Sequence, residues 1–378
     1  MKHLIVIPTC KMNYDHGFSA PLSWLFSRHA PNIQGVYAYQ LDRERVRRHD
    51  SFIVELNWFT ELYEFILATR FIKKHNSYAK ILFGGLFASI ASSHIFSICD
   101  VDYFIQGDNE LPIVQYLDGA DPRDIPNFIG RDFHNPLEYR FTMDDFQKME
   151  FNIDWFPDYF QQRKKSSFPD VRYATLPMVL TSKGGCSTPH EGCEYCMGAQ
   201  HTALREIYGR GPLAMSRQTM INQIKQISAK YHRYSVYVLS SPLYELSGEH
   251  FPGKAFVEID CPVGASDLAQ FMYAFETCCA RLPIYKEGVM GKSIADYTGL
   301  LELEDAKHRI QFVAYERDRE MLRHVPKRNV HFNLDTIFAP RWAHWECYTR
   351  FDLALKNSRT MYNYLIDRCF QPVFVPPA

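Results

Sequence analysis

The chain has 378 residues, 46% hydrophobic and 15% aromatic, enough for two domains with separate apolar cores. Its 42 Lys and Arg nearly cancel its 43 Asp and Glu, so a formal charge of −1 supplies no net pull toward nucleic acid or an anionic membrane. No apolar run approaches the ~18–20 residues of a membrane span, Leu4–Ile7 ends at Pro8 before it could form a secretory leader, and seven of the ten cysteines are scattered; the expectation is a cytoplasmic protein with reduced thiols.

The first ~120 residues alternate strand and helix signals. Lys2–Pro8, Gln34–Tyr39, Ser51–Leu56, Ala79–Phe83 and Val101–Ile105 read as strands, with helices at Glu61–Lys74 and from Leu111 to Leu117. Near-continuous apolar strands between helices imply a parallel sheet covered on both faces. Ligands of such sheets bind beyond the carboxyl ends of the strands. Those ends carry Gly84-Gly85 and Gly107-Asp108-Asn109-Glu110. Paired glycines either let a flat ligand approach the backbone or simply make tight turns.

Residues 121–173 are rich in Pro, Asp, Asn and Arg and read as a connector. From 174 to 378 strands are expected at 174–182, 235–240, 255–260, 281–285, 309–316 and 329–336. Helices are expected near 214–231, 266–279, 290–306, 317–324 and 342–368. Six strands, most followed by a helix, define an α/β unit with a partial (β/α)6 barrel, whose chemistry would sit at the carboxyl ends of its strands.

The first of these strands runs into Thr181-Ser-Lys-Gly-Gly-Cys-Ser-Thr-Pro-His-Glu-Gly-Cys-Glu-Tyr-Cys-Met-Gly198. Cys186, Cys193 and Cys196 therefore follow a strand and a glycine pair. Three readings compete. Cys193 and Cys196 form a zinc half-site, but no second Cys-x2-Cys completes it. A redox dithiol leaves Cys186 without a role. A 4Fe-4S cluster on three thiolates leaves one iron open to a ligand, and the order of strand, glycine loop, cysteines and helix favours it.

These residues, with Ile81-Leu-Phe-Gly-Gly85, Val101-Asp-Tyr-Phe-Ile-Gln-Gly-Asp-Asn-Glu110, Asp124-Ile-Pro-Asn-Phe-Ile-Gly130, Asn152-Ile-Asp-Trp-Phe156 and Gly209-Arg-Gly-Pro-Leu-Ala-Met-Ser-Arg217, resemble the radical S-adenosylmethionine superfamily. The resemblance is to members with a Rossmann-like, cobalamin-binding N-terminal domain, and it covers most of the chain. It departs in three places. The cysteines are spaced by six and then two residues where the superfamily usually has three and two. No Asp-x-His-x-x-Gly motif supplies a histidine to cobalt, and Ser240-Ser-Pro-Leu-Tyr-Glu245 stands where many members carry Gly-Gly-Glu.

The resemblance implies a 4Fe-4S cluster on Cys186, Cys193 and Cys196, S-adenosylmethionine on its open iron, and a 5′-deoxyadenosyl radical formed by one electron from a donor such as flavodoxin or ferredoxin. It implies cobalamin at the first domain, near Gly84, Gly85, Gly107 and Glu110, and methylation of an unactivated centre in a small molecule or peptide. Tyr195 takes the position that packs adenine, Gly198 lets the backbone pass the cluster, and Arg210 or Arg217 could fork onto the S-adenosylmethionine carboxylate. Glu258 and Asp260 alternate on one face of an expected inner strand, where carboxylates would meet ribose hydroxyls or substrate. Two alternatives stay open: a cobalamin-independent radical enzyme with a degenerate first domain, and a zinc-stabilised binding protein.

Overall fold

The computed structural model describes residues 1–8, 30, 32–56, 62–85, 88, 92, 95–148, 178–183, 213–238, 243–259, 263–284, 294–315, 320 and 322–333. Among them are two six-stranded sheets.

The first sheet is built from β1 (His3–Ile7), β2 (Gln34–Tyr37), β3 (Ser51–Glu55), β4 (Lys80–Gly84), β5 (Tyr103–Ile105) and β6 (Phe128–Gly130), in the order β2-β1-β3-β4-β5-β6. Five strands are parallel, and β6 runs antiparallel to β5. Helices α1 (Arg43–Arg47), α2 (Leu62–His75) and α3 (Glu110–Leu117) belong to this unit. The strands are apolar on both faces because both faces are covered. Val6, Val54, Phe83 and Phe104 share one register row and one core, while Ile5, Ile53 and Leu82 turn to the other. Phe83 anchors the first core, with ring centroids 5.0 Å from Phe104, 5.3 Å from Phe96 and 5.7 Å from Phe65. In the second core Ser51 Oγ lies 2.7 Å from the Tyr116 hydroxyl, and burial pushes the Tyr116 phenol up to about 12.

The antiparallel β6 falls inside the stretch expected to be a connector. Asn127 (φ 67°) makes the turn into it. Its side-chain amide donates to Asp108 O and Tyr139 O at 2.9 Å each, and its carbonyl accepts from Tyr139 N at 3.1 Å. Phe141 N then donates to buried Asp108 Oδ2 at 2.9 Å, while the Phe141 ring enters the core of the second sheet. The polar connector residues thus hydrogen-bond back to the first unit at Asp108, and the Phe141 ring supplies the apolar link to the second. Helix α4 (Met143–Gln147) follows, opened by a reciprocal cap between Thr142 and Asp145.

The second sheet begins with β7 (Met178–Leu180). A small antiparallel pair, β8 (Ser182–Lys183) with β9 (Leu213–Ala214), flanks the segment between them. The sheet continues with β10 (Arg233–Val238), β11 (Phe251–Ile259), β12 (Phe275–Pro283), β13 (His308–Tyr315) and β14 (Val330–Asn333). All six strands are parallel and lie in chain order, β14-β13-β12-β11-β10-β7. Helices α5 (Arg217–Lys230), α6 (Ala265–Tyr273) and α7 (Ile294–Gly299) intervene. Ser216 caps α5 by accepting from Thr219 N at 3.1 Å. The helix expected over 266–279 stops at Tyr273, and after Ala274 the nine residues Phe275–Pro283 are strand. The unbroken apolar run Phe271–Phe275 hides that boundary from any periodicity argument. At Gly253 (φ 84°) the register of β11 shifts, and a Cβ there would sit 2.6 Å from His232 O, so only glycine fits.

Candidate active site

The two faces of the second sheet differ. Val236, Val257, Ala280 and Ile310 form one register row, and Val238, Ile259, Leu282 and Phe312 belong to the same helix-covered core. The alternate residues face the other way. Nearest the strand starts on that face stand Arg233, Lys254 and Thr277; next come Ser235, Phe256, Cys279 and Arg309; then Tyr237, Glu258, Arg281 and Gln311. This second face is only partly covered among the described residues.

The layer of Tyr237, Glu258, Arg281 and Gln311 lies toward the carboxyl ends of the strands, where barrel-type sheets do their chemistry. Arg281 Nη1 is 3.3 Å from Glu258 Oε2. The two side chains are 9% and 23% exposed, so the pair is largely shielded yet still reachable. Beneath it, Phe256 is 4% exposed and closes the floor, with Lys254 and Arg233 over its ring at 5.3 and 6.0 Å. Cys279 shares the floor layer, and burial pushes its thiol up. The sequence singles out Glu258 by its parity with Asp260 but not Arg281, whose link to Glu258 exists only once β11 and β12 pair in register; an arginine inside the apolar run Cys278–Leu282 was the available signal.

After β7, Thr181 N donates to Tyr237 O at 3.1 Å, and β8 then precedes the glycine pair in sequence. β7, the strand that precedes the cysteine segment in sequence, is thus paired with the strand that carries Tyr237. Cys186, Cys193, Cys196, Tyr195, Gly198, Arg210 and Asp260 lie outside the described residues. Among the described residues no three His, Cys, Asp or Glu side chains gather as a metal site. Arg217 opens α5, and its Nε donates to Glu245 O, which ties the helix start to the loop after β10.

At the first sheet, Gly84 and Gly85 end β4 and Gly107 follows the adjacent β5, so the three share one carboxyl edge. Gly85 (φ 119°) and Gly107 (φ 78°) hold conformations that favour glycine, whereas a Cβ on Gly84 would meet nothing closer than 3.8 Å. Glu110 is 2% exposed in the first turn of α3, and its Oε2 accepts from Asn109 N at 3.2 Å. Its carboxylate is thus turned into the protein beside the Gly107 edge. Among the described residues no helix is long and apolar enough to cross a membrane.

No protein-family model matches the sequence, and no curated protein matches it. Solved structures do share the fold, which is that of cobalamin-dependent radical S-adenosylmethionine enzymes. One is the methyltransferase TsrM from Kitasatospora setae with cobalamin and a [4Fe-4S] cluster bound, at TM-score 0.53 and 13% identity over 83% of this chain and 69% of that one. TsrM with tryptophan substrate and an S-adenosylmethionine analogue gives TM-score 0.51 at 13% identity, over 83% of this chain and 67% of that one. OxsB, with aqua-cobalamin and S-adenosylmethionine bound, gives 0.52 at 10% identity. The likeness covers 92% of this chain but 55% of OxsB, so the chain spans about half the length of that enzyme.

Proposed function

We propose that the chain is a radical S-adenosylmethionine enzyme with cobalamin at its first domain, transferring a methyl group to an unactivated centre of a small molecule or peptide. The observation that supports this reading is architectural. The chain shares its fold with TsrM and OxsB, and in its sequence three cysteines follow the first strand of the second sheet. Cys186, Cys193 and Cys196 would hold the cluster, and three thiolates with no fourth partner in the motif are the donor set for a cluster with one open iron. The positive-φ glycines 85 and 107 leave two positions at the carboxyl edge of the first sheet without side chains, which suits close approach of a broad, flat macrocycle. When bound, the cluster supplies an electron for breaking a carbon–sulfur bond of S-adenosylmethionine and cobalamin supplies a methyl carrier.

The protein's own residues bind and orient. The open face of the second sheet offers a floor closed by Phe256 and a charged layer above it that can hold a polar substrate against the cysteine loop. That floor keeps water from reaching the layer through the strand starts. An electron donor such as flavodoxin or ferredoxin belongs to this reading.

The experiment is anaerobic purification with hydroxocobalamin supplied, followed by iron, sulfide and cobalt counts and a visible spectrum. About four irons and one cobalt per chain are expected. Zinc without iron or sulfide would sink the reading. Iron without cobalt would favour cobalamin-independent radical chemistry, the alternative supported by the missing Asp-x-His-x-x-Gly motif.

A further inference from the structure

The strand starts of the second sheet gather positive charge on one face. Arg233 on β10 and Lys254 on β11 are register partners, and Thr277 on β12 continues their row. One row further along, Arg309 on β13 is the register partner of Cys279. Like charges at neighbouring strand positions repel and cost stability. Arg233 and Lys254 nevertheless lie over the same ring, that of Phe256, at 6.0 and 5.3 Å. Arg309 acts on the same neighbourhood: burial pushes the Cys279 thiol up, while Arg281, Arg309 and Lys254 pull it down. Among the described residues no carboxylate pairs with Arg233, Lys254 or Arg309, and Arg309 donates only to Arg328 O at 3.3 Å. The nearby acids have other partners. Glu304 accepts from Asn329 Nδ2 at 2.6 Å and from Ile310 N at 2.9 Å, and it lies 3.5 Å from Arg328 Nη2. Glu276 accepts from Gly253 N at 2.7 Å, and Asp305 lies 2.9 Å from His308 Nδ1. Elsewhere the chain pairs such cations: Lys73 and Lys80 share Asp102, and Lys225 meets Glu249. Arg233 and Arg309 are exposed and Lys254 is half-buried, so solvent reaches all three.

We propose that Arg233, Lys254, Thr277 and Arg309 form a binding site for a chain of phosphates at the strand starts of the second sheet. The number of charges selects the ligand. A single carboxylate neutralises one of three cations, whereas a triphosphate chain carries enough charge for all of them. Arginine forks match pairs of phosphate oxygens, the lysine adds a point charge, and the Thr277 hydroxyl can donate a further hydrogen bond. The fold disfavours larger polyanions. Each strand from β10 to β13 is paired on both sides, so no strand edge is there to take the backbone of an acidic peptide. Phe256 is 4% exposed, so its ring is no platform for the successive bases of a nucleic-acid strand. The site lies at the opposite ends of the strands from the layer where barrel-type chemistry occurs, so phosphates held there anchor or regulate and do not react. Such a site binds phosphates whatever cofactors the chain carries.

The full chain, in phosphate-free buffer, is titrated calorimetrically with sodium tripolyphosphate, orthophosphate and adenosine triphosphate. Tripolyphosphate binds, and orthophosphate binds at least about tenfold more weakly because it meets fewer of the cations. Adenosine triphosphate that binds more tightly than tripolyphosphate makes a nucleotide the source of the phosphates, and equal binding makes it the phosphate chain alone. Arg233→Gln, Lys254→Gln and Arg309→Gln each weaken tripolyphosphate about fivefold or more, the size of one charge-assisted contact. Lys254→Arg keeps the charge and the binding. Tripolyphosphate raises the urea midpoint of the parent beyond sodium chloride at equal ionic strength, and the rise shrinks in Lys254→Gln. Circular dichroism confirms that each variant is folded. The triple variant Arg43→Gln/Arg47→Gln/Lys74→Gln removes as much charge from exposed positions of the first unit and keeps the binding. No binding beyond the sodium chloride control, or unchanged binding in the three single variants, overturns the proposal. So does an equal loss in the first-unit variant, which would show attraction to overall charge and not to a site.

Discussion

The two sheets are both largely parallel and six-stranded, yet they use their faces differently. The first is apolar on both sides, with Val6, Val54, Phe83 and Phe104 packed on one and Ile5, Ile53 and Leu82 on the other. The second is apolar on one side and carries Tyr237, Glu258, Arg281 and Gln311 on the other. A sheet covered on both faces can meet a ligand only at its strand ends, where Gly85 and Gly107 stand. A sheet with one polar face can hold a ligand against that face. The first unit is therefore built as a platform and the second as a vessel.

The largest effect should come from emptying the platform. Phe83→Ala removes a ring that is 0% exposed and touches three other phenylalanines. It should cost about 3–5 kcal/mol in urea unfolding. A much smaller cost would mean the first core is loosely packed and the contrast between the sheets is overstated.

The vessel should respond in the opposite sense. Arg281→Met alone leaves Glu258 against an apolar neighbour and should cost about 1–3 kcal/mol. Adding Glu258→Leu should return stability to within about 1 kcal/mol of the parent, because the pair gives little net stability. If the double variant is as unstable as the single, the charged layer is structural and the open face has no claim to function.

The platform edge gives a third, finer comparison. Gly107→Ala forces a Cβ onto φ 78° and should cost about 1–2 kcal/mol. Gly84→Ala meets nothing closer than 3.8 Å and should leave unfolding unchanged. Cobalt retention after anaerobic gel filtration reads the same two variants for function. Loss of cobalt in Gly84→Ala, with stability intact, would mark Gly84 as a contact.

Much of this contrast can be read in the sequence, and the unread parts have physical causes. The strands of the first sheet stand out because burial on both faces makes continuous apolar runs between polar helix ends. β6 was hidden because its pairing is fixed by Asn127, a polar residue at positive φ whose partners are 12 and 19 residues away. The start of β12 was hidden because helix α6 and the strand meet inside one apolar run. Glu258 could be found by alternation along one strand, but Arg281 joins it only through strand pairing. The cysteine spacing is a local signal and was legible, although the loop itself lies outside the described residues.

The smallest effect concerns acid. Among the described residues each unit has one aspartate held below its ordinary value of 3.8. In the platform, burial raises Asp102, but hydrogen bonds from Lys73 at 2.8 Å, Ile81 N at 2.9 Å and Lys80 at 3.0 Å outweigh it and lower it overall. In the vessel, Asp305 is lowered to about 2, first by His308 Nδ1 at 2.9 Å and then by Lys307 N at 2.6 Å. A depressed carboxylate binds fewer protons folded than unfolded near pH 3, so its contribution is complete above the ordinary value and fades as pH falls through the lowered one. Asp305 sits at the solvent surface, where such contacts are screened, while Asp102 is mostly covered by its lysines. Asp102→Asn should therefore cost more than Asp305→Asn at pH 6. For Asp305→Asn the difference from the parent in urea midpoint should shrink steadily from pH 4 to pH 2. A difference that stays constant over that range would show that Asp305 acts by geometry rather than by charge.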